Sequence, residues 1–347
     1  MSLAESKTKY DGFSTLARGV DSGSDPALIG RDQVALAFNT TFRRDFPECR
    51  PGWAKLTLTG AYFQLGRWQG AHSYIDDSGV PSIIASIGGS IVRFNILNNV
   101  VTNLSTASGL SNTTKPPLVW MVQAERYLLI QDGLSIPLTW EGASLTRSNP
   151  VAFGGVNLPV GCMMEYNNGR LWVTLDDRKS FVAGDLAYSI TGTAADVLSF
   201  TENDFIDGGG SFGMPSSAGR INAMKSVAIQ DSTLGQGPLQ VFGQAGSASM
   251  NAPFDRTTWQ QLDSPIQSVS LIAPGPVGQY AVATINGDLW YRSQDGIRSF
   301  MVARRDHGTW VNTPLSHERS RILDRDDPYL LQHTSAVVFD KRLLSTV

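Results

Sequence analysis

Hydrophobic residues after about residue 60 fall into short runs of strand length, separated by Gly, Asn, Asp and Pro. The runs are rich in Val, Ile, Leu, Phe, Tyr and Trp, and pairs such as Asn-Gly and Asp-Gly, typical of tight hairpins, bound them. No stretch in this region has the period of an amphipathic helix of ten or more residues. The pattern therefore predicts an all-β fold. The clearest runs are PSIIASIGGSIVRFNI, ERYLLIQDGLSIPLTWEG, YNNGRLWVTLDDRKSFVAGDL, GPLQVFGQAGSASMNA, INGDLWYRSQDGIRSFMVA and VVFDKRLLSTV.

These six runs also resemble one another. A turn followed by an apolar pair recurs at Asn168-Gly169 and Asn286-Gly287, and the turn at Asp132-Gly133 resembles the one at Asp295-Gly296. Units of about 40 to 50 residues, with one insertion, suit the four-stranded blades of a propeller. We therefore predict a β-propeller of six blades, with a β-sandwich as the alternative. The positions taken as equivalent are Ile91, Leu128, Leu171, Leu239, Leu289 and Leu343.

Residues 1–57 lack this repeat, and their turn-rich composition indicates an extended arm. Asp32 is placed to cap one short helix carrying Val34, Leu36 and Phe38. A helix of that length depends on what it packs against. The prediction is an assembly arm over residues 1–57 and a propeller domain over residues 58–347, its last blade incomplete.

Composition narrows the classes of partner. The chain has 347 residues and a net charge of −3, so no overall charge draws it to nucleic acid or anionic membrane. Charged residues make up 17%, against roughly 25% in typical soluble proteins. A sparsely charged surface suits subunits that cover one another, or else a secreted β-protein rich in Thr and Asn. Because neither a signal peptide nor a run of roughly 20 apolar residues is evident, we expect synthesis and retention in a cytoplasm.

The octapeptide SQDGIRSF, residues 293–300, nearly matches the Asp-box turn of sialidases, but Gly296 comes one position early. An Asp-box supports a fold and carries no catalysis. The carboxylates and arginines of a sialidase have no local pattern here, so we expect no enzyme, no catalytic residue and no cofactor.

Other candidate chemistry is weak. Cys49 and Cys162 are isolated and are interpreted as two buried small hydrophobes. The Gly-rich segment 207–213, DGGGSFG, lacks a phosphate loop's lysine and is interpreted as a flexible loop. The acids of LDRDDPY favour a solvated turn over a calcium site, and the four histidines favour structural roles over zinc binding. These residues are Asp324, Asp326 and Asp327, and His72, His307, His317 and His333.

Two small basic clusters are candidates for assembly. Arg43, Arg44 and Arg50 form the first, and Arg304 and Arg305 the second. Acidic residues beside each cluster compensate the charge that a phosphate-tracking surface would need. The arginines fit ion pairs between subunits better.

The order of several segments resembles a family of bacteriophage virion proteins, most closely the propeller-bearing tail-nozzle proteins of short-tailed phages. The resemblance spans nearly the whole chain. It rests on GVDSGSDPALIGRDQVALAFNTTFRRDFPECRPGW, NNGRLWV, GGGSFGMPSSAGRINAM, DSTLGQGPLQVF, FDRTTWQQLDSPIQSVSL, NGDLWYRSQDGIRSFMVARRDHGTWVNTPLSHE and FDKRLL.

This resemblance implies a virion protein assembled in the host bacterial cytoplasm. It implies a six-bladed propeller with a platform, a hexameric ring around the tail axis, an adaptor as neighbour, and DNA that passes without being held. Such proteins usually continue further, so the last blade needs closure by the N-terminal region or a neighbour.

Two other functions stay open. A glycan-binding or sialidase-like propeller of a receptor-binding spike would show exposed aromatics, such as Trp172 or Trp290, around one face. A head-tail connector or minor capsid protein would share the assembly logic at another position in the particle.

Overall fold

A computed structural model describes residues 19–30, 32–43, 46–50, 52, 54–60, 65–147, 158–187, 197–199, 210–227, 237–251, 258, 261, 266–270, 274–302, 314–339 and 342–346. Twenty-six strands are found there: β1 (Gly19–Val20), β2 (Gln33–Val34), β3 (Thr40–Arg43), β4 (Phe46–Cys49), β5 (Trp68–Ile75), β6 (Pro81–Ile87), β7 (Ser90–Asn95), β8 (Val100–Asn103), β9 (Trp120–Ala124), β10 (Tyr127–Gln131), β11 (Leu138–Trp140), β12 (Leu145–Arg147), β13 (Gly161–Asn167), β14 (Arg170–Leu175), β15 (Ser180–Ala187), β16 (Val197–Ser199), β17 (Gly210–Gly213), β18 (Ile221–Ser226), β19 (Leu239–Gly243), β20 (Ser247–Met250), β21 (Ile266–Ser270), β22 (Val282–Ile285), β23 (Asp288–Ser293), β24 (Gly296–Ser299), β25 (Ser335–Phe339) and β26 (Arg342–Thr346). The two short helices are α1 (Leu104–Ser108) and α2 (Ser320–Leu323).

Five antiparallel sheets follow one another along the chain and form the blades of a β-propeller. They are β5–β8, β9–β12, β13–β16 with β17 also paired to β15, β18–β21, and β22–β24. The first strands contact in sequence, β5 with β9, β9 with β13, and β13 with β18, so the first strand of each blade is innermost. The predicted all-β propeller is confirmed, and the sandwich alternative is wrong because the sheets are arranged around a centre.

The predicted number of six blades is wrong, because the described residues form five. Leu343 marks only the hairpin of β25 and β26, which pairs with no third strand in that part of the chain. Ile91 lies in the third strand of its blade, whereas Leu128 lies in the second strand of the next blade. A turn followed by an apolar pair occurs in any hairpin, so this signal does not count the strands beyond it.

Hydrophobic clusters between neighbouring blades hold the array together. Trp172 and Phe181 of the third blade pack with Met224 and Leu239 of the fourth, and similar clusters join the first blade to the second, the second to the third, and the fourth to the fifth. Burial of one such large side chain contributes about 1.5–3 kcal/mol. Each blade therefore depends on its neighbours to cover its apolar faces.

The arm differs from the prediction. In place of a helix after Asp32, Gln33–Val34 forms strand β2, which pairs in parallel with β1, and Val34 lies opposite Val20. The Gln33 side chain accepts a hydrogen bond from the Gly30 N–H at 3.2 Å. Most backbone groups of a single helical turn have no partner within the helix, whereas strand β2 bonds its backbone groups to β1.

The residues after the arm complete the outer side of the first blade. The N–H of Thr59 donates to Asn99 O and the N–H of Val101 donates to Thr59 O, each at 3.1 Å. Leu58 and Leu65 pack on the cluster formed by β6 and β7, which includes Ile87. The face of the first blade that points away from the second blade is thus covered by the chain that leads into it.

The Gly-rich segment is partly ordered as a strand, contrary to the predicted loop. Gly210–Gly213 is β17, whose Phe212 lies opposite Phe181 and packs on Trp172 with ring centroids 5.9 Å apart. One aromatic side chain among the glycines buries enough apolar surface to hold the segment against the sheet. Residues 207–209 lie outside the described residues.

Candidate assembly surface

The turn before the fifth blade ties the inner strands of three other blades together. The amide oxygen of Gln279 accepts from the Met224 N–H at 2.7 Å, and its amide nitrogen donates to Met224 O at 2.8 Å and Met164 O at 3.3 Å. The Tyr280 hydroxyl donates to Val119 O at 2.7 Å. Burial raises the pKa of Tyr280 above its ordinary value. Gln279 and Tyr280 therefore lie inside the ring of inner strands. The sequence analysis did not predict a role for these two residues. The one signal in the sequence was the Pro- and Gly-rich stretch before them, which indicates a connection between strands.

The gap between the fifth and first blades is filled incompletely. A cavity of about 560 Å³ is lined on one side by Trp68 and Gly70 of β5, and on the other by Ser335 and Thr346 of the C-terminal hairpin. His333 also lines it, and burial together with nearby Arg67 lowers the pKa of that imidazole. β5 of the first blade and the C-terminal hairpin therefore face each other across open space.

The C-terminal hairpin, β25 and β26, is exposed along much of its length. Val337 is 59% exposed and Phe339 69% exposed, and no residue of the hairpin enters the clusters between blades in the described part of the chain. Its first strand contacts β22 of the fifth blade. Contiguous exposed apolar side chains of this kind mark surfaces that another element covers.

The arm packs on the propeller and carries apolar side chains into solvent. The N–H groups of Ser22 and Gly23 both donate to Glu318 O, at 2.6 and 2.9 Å. Leu28 is 80% exposed and Phe38 71% exposed. The described part of the arm is therefore bonded to the propeller at Glu318 and presents exposed apolar side chains elsewhere.

Of the five candidate arginines, Arg44, Arg304 and Arg305 lie outside the described residues. Arg43 ends β3, and Arg50 follows β4, where its N–H donates to Asn39 O at 2.8 Å. The role of these arginines in ion pairs between subunits stays a prediction.

The candidate turns lie between strands of the blades. Asn168-Gly169 and Asn286-Gly287 connect the first and second strands of their blades, and all four residues have positive φ, which a tight hairpin requires. Asp132-Gly133 and Asp295-Gly296 lie at or beside the connections between second and third strands.

The polar groups of these second turns are used within the fold. Both oxygens of the Asp132 carboxylate accept hydrogen bonds, and five donors reach them: Leu134 N–H, Ser135 N–H and hydroxyl, and Thr113 N–H and hydroxyl. Burial alone would raise the pKa of Asp132, but the backbone N–H groups of Thr113, Ser135 and Leu134 outweigh it, and the pKa is lowered. The carboxylate fixes a turn and is already saturated with partners.

In the Asp-box-like turn, too, the carboxylate is bonded by groups of the turn itself. The Ser293 hydroxyl oxygen lies 2.7 Å from an Asp295 carboxylate oxygen and 2.7 Å from Gly296 O, the two acceptors within reach of its single proton. The Arg298 guanidinium forms an ion pair with Asp295 at 2.5 Å. Burial would raise the pKa of Asp295, but the hydrogen bonds from Arg298 and Ser293 lower it.

The acidic turn near the C-terminus is engaged in an ion pair. Asp326 accepts from the buried Arg292 guanidinium at 2.9 Å, and Asp327 accepts from the Tyr329 N–H at 2.9 Å. Within the described ranges, no three His, Cys, Asp or Glu side chains form a group that could hold a metal ion. Asp324 is exposed beside this turn.

The cysteines and histidines take varied positions. Cys49 is exposed, contrary to the prediction, because β4 is an outer strand of a small hairpin with no sheet over it. Cys162 is half-buried, and burial raises the pKa of its thiol. Burial lowers the pKa of His72, and His317 lies exposed in the turn that receives the arm. His307 lies outside the described residues.

The aromatic pair that a glycan-binding face would expose does not form one. Trp172 is fully buried and Trp290 is half-buried, so these two residues do not supply the exposed aromatic face that the glycan-binding alternative requires. Trp172 lies on β14 and Trp290 on β23, the second strands of their blades. Successive side chains of a strand point to opposite faces of its sheet, and in a propeller these faces are turned toward the neighbouring blades.

No helix in the described residues has the length and apolar character needed to cross a membrane. No protein-family model matches the sequence, and no curated protein matches it.

Solved structures do match. One is BBS1N in complex with ARL6DN, at 12% identity and a TM-score of 0.37, covering 64% of this chain and 61% of that chain. A second is the Myceliophteria thermophila Cps50 (Swd1) β-propeller domain, at 13% identity and a TM-score of 0.37, covering 67% and 66%. A third is the extracellular domain of BT4673 from B. thetaiotaomicron, at 15% identity and a TM-score of 0.36, covering 66% of this chain and 28% of that chain. Identities this low carry no information about activity.

Proposed function

We propose that this protein is a structural component of a bacteriophage virion, at the tail nozzle or the end of the tail tube. The sequence resemblance to propeller-bearing nozzle proteins, which spans nearly the whole chain, suggested this role. The observation that carries the proposal is the exposed apolar surface at two separate places, the arm with Phe38 and the hairpin with Phe339. Surfaces of this kind suit a subunit that neighbours cover.

In this proposal, copies of the chain form a hexameric ring. Heterologous contacts, in which two different surfaces of the same subunit meet, close into a ring when the rotation between copies allows it. The arm and the hairpin are two such different surfaces. The low fraction of charged residues, 17%, fits a subunit whose sides face other subunits, since charge is depleted at interface centres.

The particle's DNA would pass through the opening of the ring, not through a propeller. Gln279 and Tyr280 lie among the inner strands of the propeller, where their side chains donate hydrogen bonds to the backbone oxygens of Met164, Met224 and Val119. A net charge of −3 gives the conduit few cations with which to hold a phosphate backbone. Passage without specific binding is the behaviour expected of a nozzle.

The position in the particle is tested by labelling. Antibodies against the purified chain, coupled to gold, should decorate the tail end of particles of the phage that encodes it. Label at the junction of head and tail would favour a connector, and unlabelled, opened particles would contradict a virion role. A glycan array with the purified protein tests the receptor-binding alternative, and specific glycan binding would favour that function.

The role of the arm is tested by deletion. Removal of residues 10–57 should leave a folded propeller, because none of the described residues in this range belongs to a blade or to the hydrophobic clusters between blades. The shortened protein should retain its far-ultraviolet circular dichroism and fail to enter particles in a complementation assay. Normal particle assembly by the shortened protein would contradict the proposed role of the arm.

A further inference from the structure

The C-terminal hairpin has the position and pairing of the first half of a blade. β25 contacts β22 of the fifth blade, as the first strands of neighbouring blades do elsewhere, and β26 pairs with β25 in antiparallel fashion. The first, second and fourth blades continue with a third and a fourth strand, but β26 has no further partner among the described strands. Among the described strands, the outer edge of β26 is therefore unpaired, where a complete blade has two further strands.

The hairpin of β3 and β4 in the arm also belongs to no blade. β3 and β4 form an antiparallel hairpin that pairs with no other strand in the described residues. Each has four residues, which lies within the three to six residues of the outer strands β7, β8, β11 and β12. In number, length and direction, these two strands match what the C-terminal hairpin lacks.

The order of the two strands is fixed by proline. Pro47 lies in β4 and has no N–H to give to a neighbouring strand, so β4 suits the outermost position of a sheet. β3 contains no proline and is the strand that can pair with β26. The completed sheet would run β25, β26, β3 and β4, a meander like that of the complete blades.

The side chains of β3 and β26 complement each other in one antiparallel register. When Phe42 lies opposite Leu344, Thr41 lies opposite Ser345 and Thr40 opposite Thr346. Apolar then faces apolar and hydroxyl faces hydroxyl, the cross-strand pairs that stabilise sheets. β26 also has no proline or lysine to protect its open edge.

We propose that β3 and β4 of one copy pair with β26 of a second copy, so that the hairpin of β25 and β26 becomes a four-stranded blade. Among the described strands, the donor hairpin does not pair with β26 of its own chain, and the arm that carries it is bonded at Ser22 and Gly23 to Glu318 of that chain. The choice of a second copy as the acceptor rests on the proposed function, in which copies form a ring. Donation from each copy to the next is a heterologous contact and needs no other partner.

Cross-linking between differently tagged copies tests the proposal. One copy carries Thr41→Cys and the other Ser345→Cys, both in a background of Cys49→Ser and Cys162→Ser. Opposite residues on paired strands are close enough for a short bis-maleimide reagent to join them. The purified, mixed proteins should give a species that carries both tags. The matched control replaces Ser345→Cys by Ser78→Cys, an exposed serine in the loop between β5 and β6, and should give none.

Each outcome decides. A mixed species no more abundant than in the control overturns the proposal. So does a link that forms only when both cysteines are in one chain, which would show closure within the subunit. A second variant needs no new cysteine: Leu344→Asp should abolish oligomers in sedimentation velocity, whereas Leu97→Asp, in an exposed turn of the first blade, should not. Loss of oligomers in both, or in neither, contradicts the proposal.

The result is separable from that of the labelling experiment. Absent cross-links with gold at the tail end would remove strand donation and leave the virion role intact. Mixed cross-links with unlabelled particles would leave a strand-exchanged ring that serves another purpose.

Discussion

Asp132 provides a quantitative test of the idea that the turns of the blades are held by saturated carboxylates. Asp132 is only 2% exposed. Its carboxylate accepts hydrogen bonds from five donors, among them the N–H groups of Leu134 at 2.9 Å and Ser135 at 2.7 Å. The Thr113 N–H, at 2.9 Å, comes from the connection that leads into the second blade. Asp132 thus joins a hairpin of that blade to the chain that enters it.

The expected cost follows from the donors left behind. Asp132→Ala leaves three N–H groups without their acceptor, and a donor so orphaned costs about 1–3 kcal/mol. Water can reach part of the turn, because Leu134 is 60% exposed. We therefore expect a loss of about 2–4 kcal/mol for Asp132→Ala, and about 1–3 kcal/mol for Asp132→Asn, which keeps one oxygen.

The assay is equilibrium unfolding in urea, followed by the fluorescence of the eight tryptophans. Asp177→Ala is the matched control, because Asp177 makes the same turn with the N–H groups of Lys179 and Ser180 at 2.8 and 2.9 Å but is exposed. Water replaces the lost acceptor there, so its loss should be less than half as large. Equal losses in the two variants would refute the reasoning.

The dependence on pH gives an independent check. The pKa of Asp132 in the folded protein lies below its ordinary value of 3.8, so in that range the unfolded chain binds the proton more readily. The stabilisation by the carboxylate is complete above the ordinary value and is lost as pH falls through the folded value. The difference in unfolding free energy between the wild type and Asp132→Asn should therefore shrink from about pH 5 downward. A constant difference would show that the ionised form is not what the turn binds.

Substitutions at three further buried contacts test other parts of the fold by denaturant unfolding. Trp172→Ala should cost about 3–5 kcal/mol, because its fully buried ring fills the cluster between the third and fourth blades. Asp326→Ala should cost about 2–4 kcal/mol, because it leaves the buried guanidinium of Arg292 without its carboxylate, whereas Arg292→Met should cost less. Tyr280→Phe removes the hydrogen bond to Val119 O and should cost about 0.5–1.5 kcal/mol. Since the pKa of Tyr280 is raised, the wild type should lose more stability than this variant as pH rises above about 10.

Each of these substitutions has a control in the same chain. Trp290→Ala removes a half-buried indole, Asp327→Ala removes an exposed carboxylate beside Asp326, and Tyr329→Phe alters a residue that is 86% exposed. All three should have clearly smaller effects than their buried counterparts. A control that destabilises as much as its partner would contradict the assignment of the loss to the buried contact.

The local pattern of apolar and polar residues was sufficient to predict the fold class. Strand-length apolar runs with Asn-Gly and Asp-Gly between them predicted an all-β propeller, because hairpin chemistry is decided by a few adjacent residues. Asn168 and Asn286 have the positive φ expected of such turns. The same pattern could not predict the number of blades, because the turn before Leu343 has the same sequence features whether its hairpin belongs to a two-stranded or a four-stranded sheet.

Contacts between distant residues decided the rest. Asp32 and its neighbours have the local pattern of a capped helix, but Val20, which pairs with Val34, makes a strand there. Gln279 and Tyr280 have no periodicity, and their role depends on three inner strands that the chain brings together from up to 161 residues away. The sequence alone determined most of the strand segments of the blades and the turns between them, because those depend on short-range energies. Only the tertiary structure decided how many blades form, what fills their centre and which edge is left open, because these depend on surfaces that meet after the chain has folded.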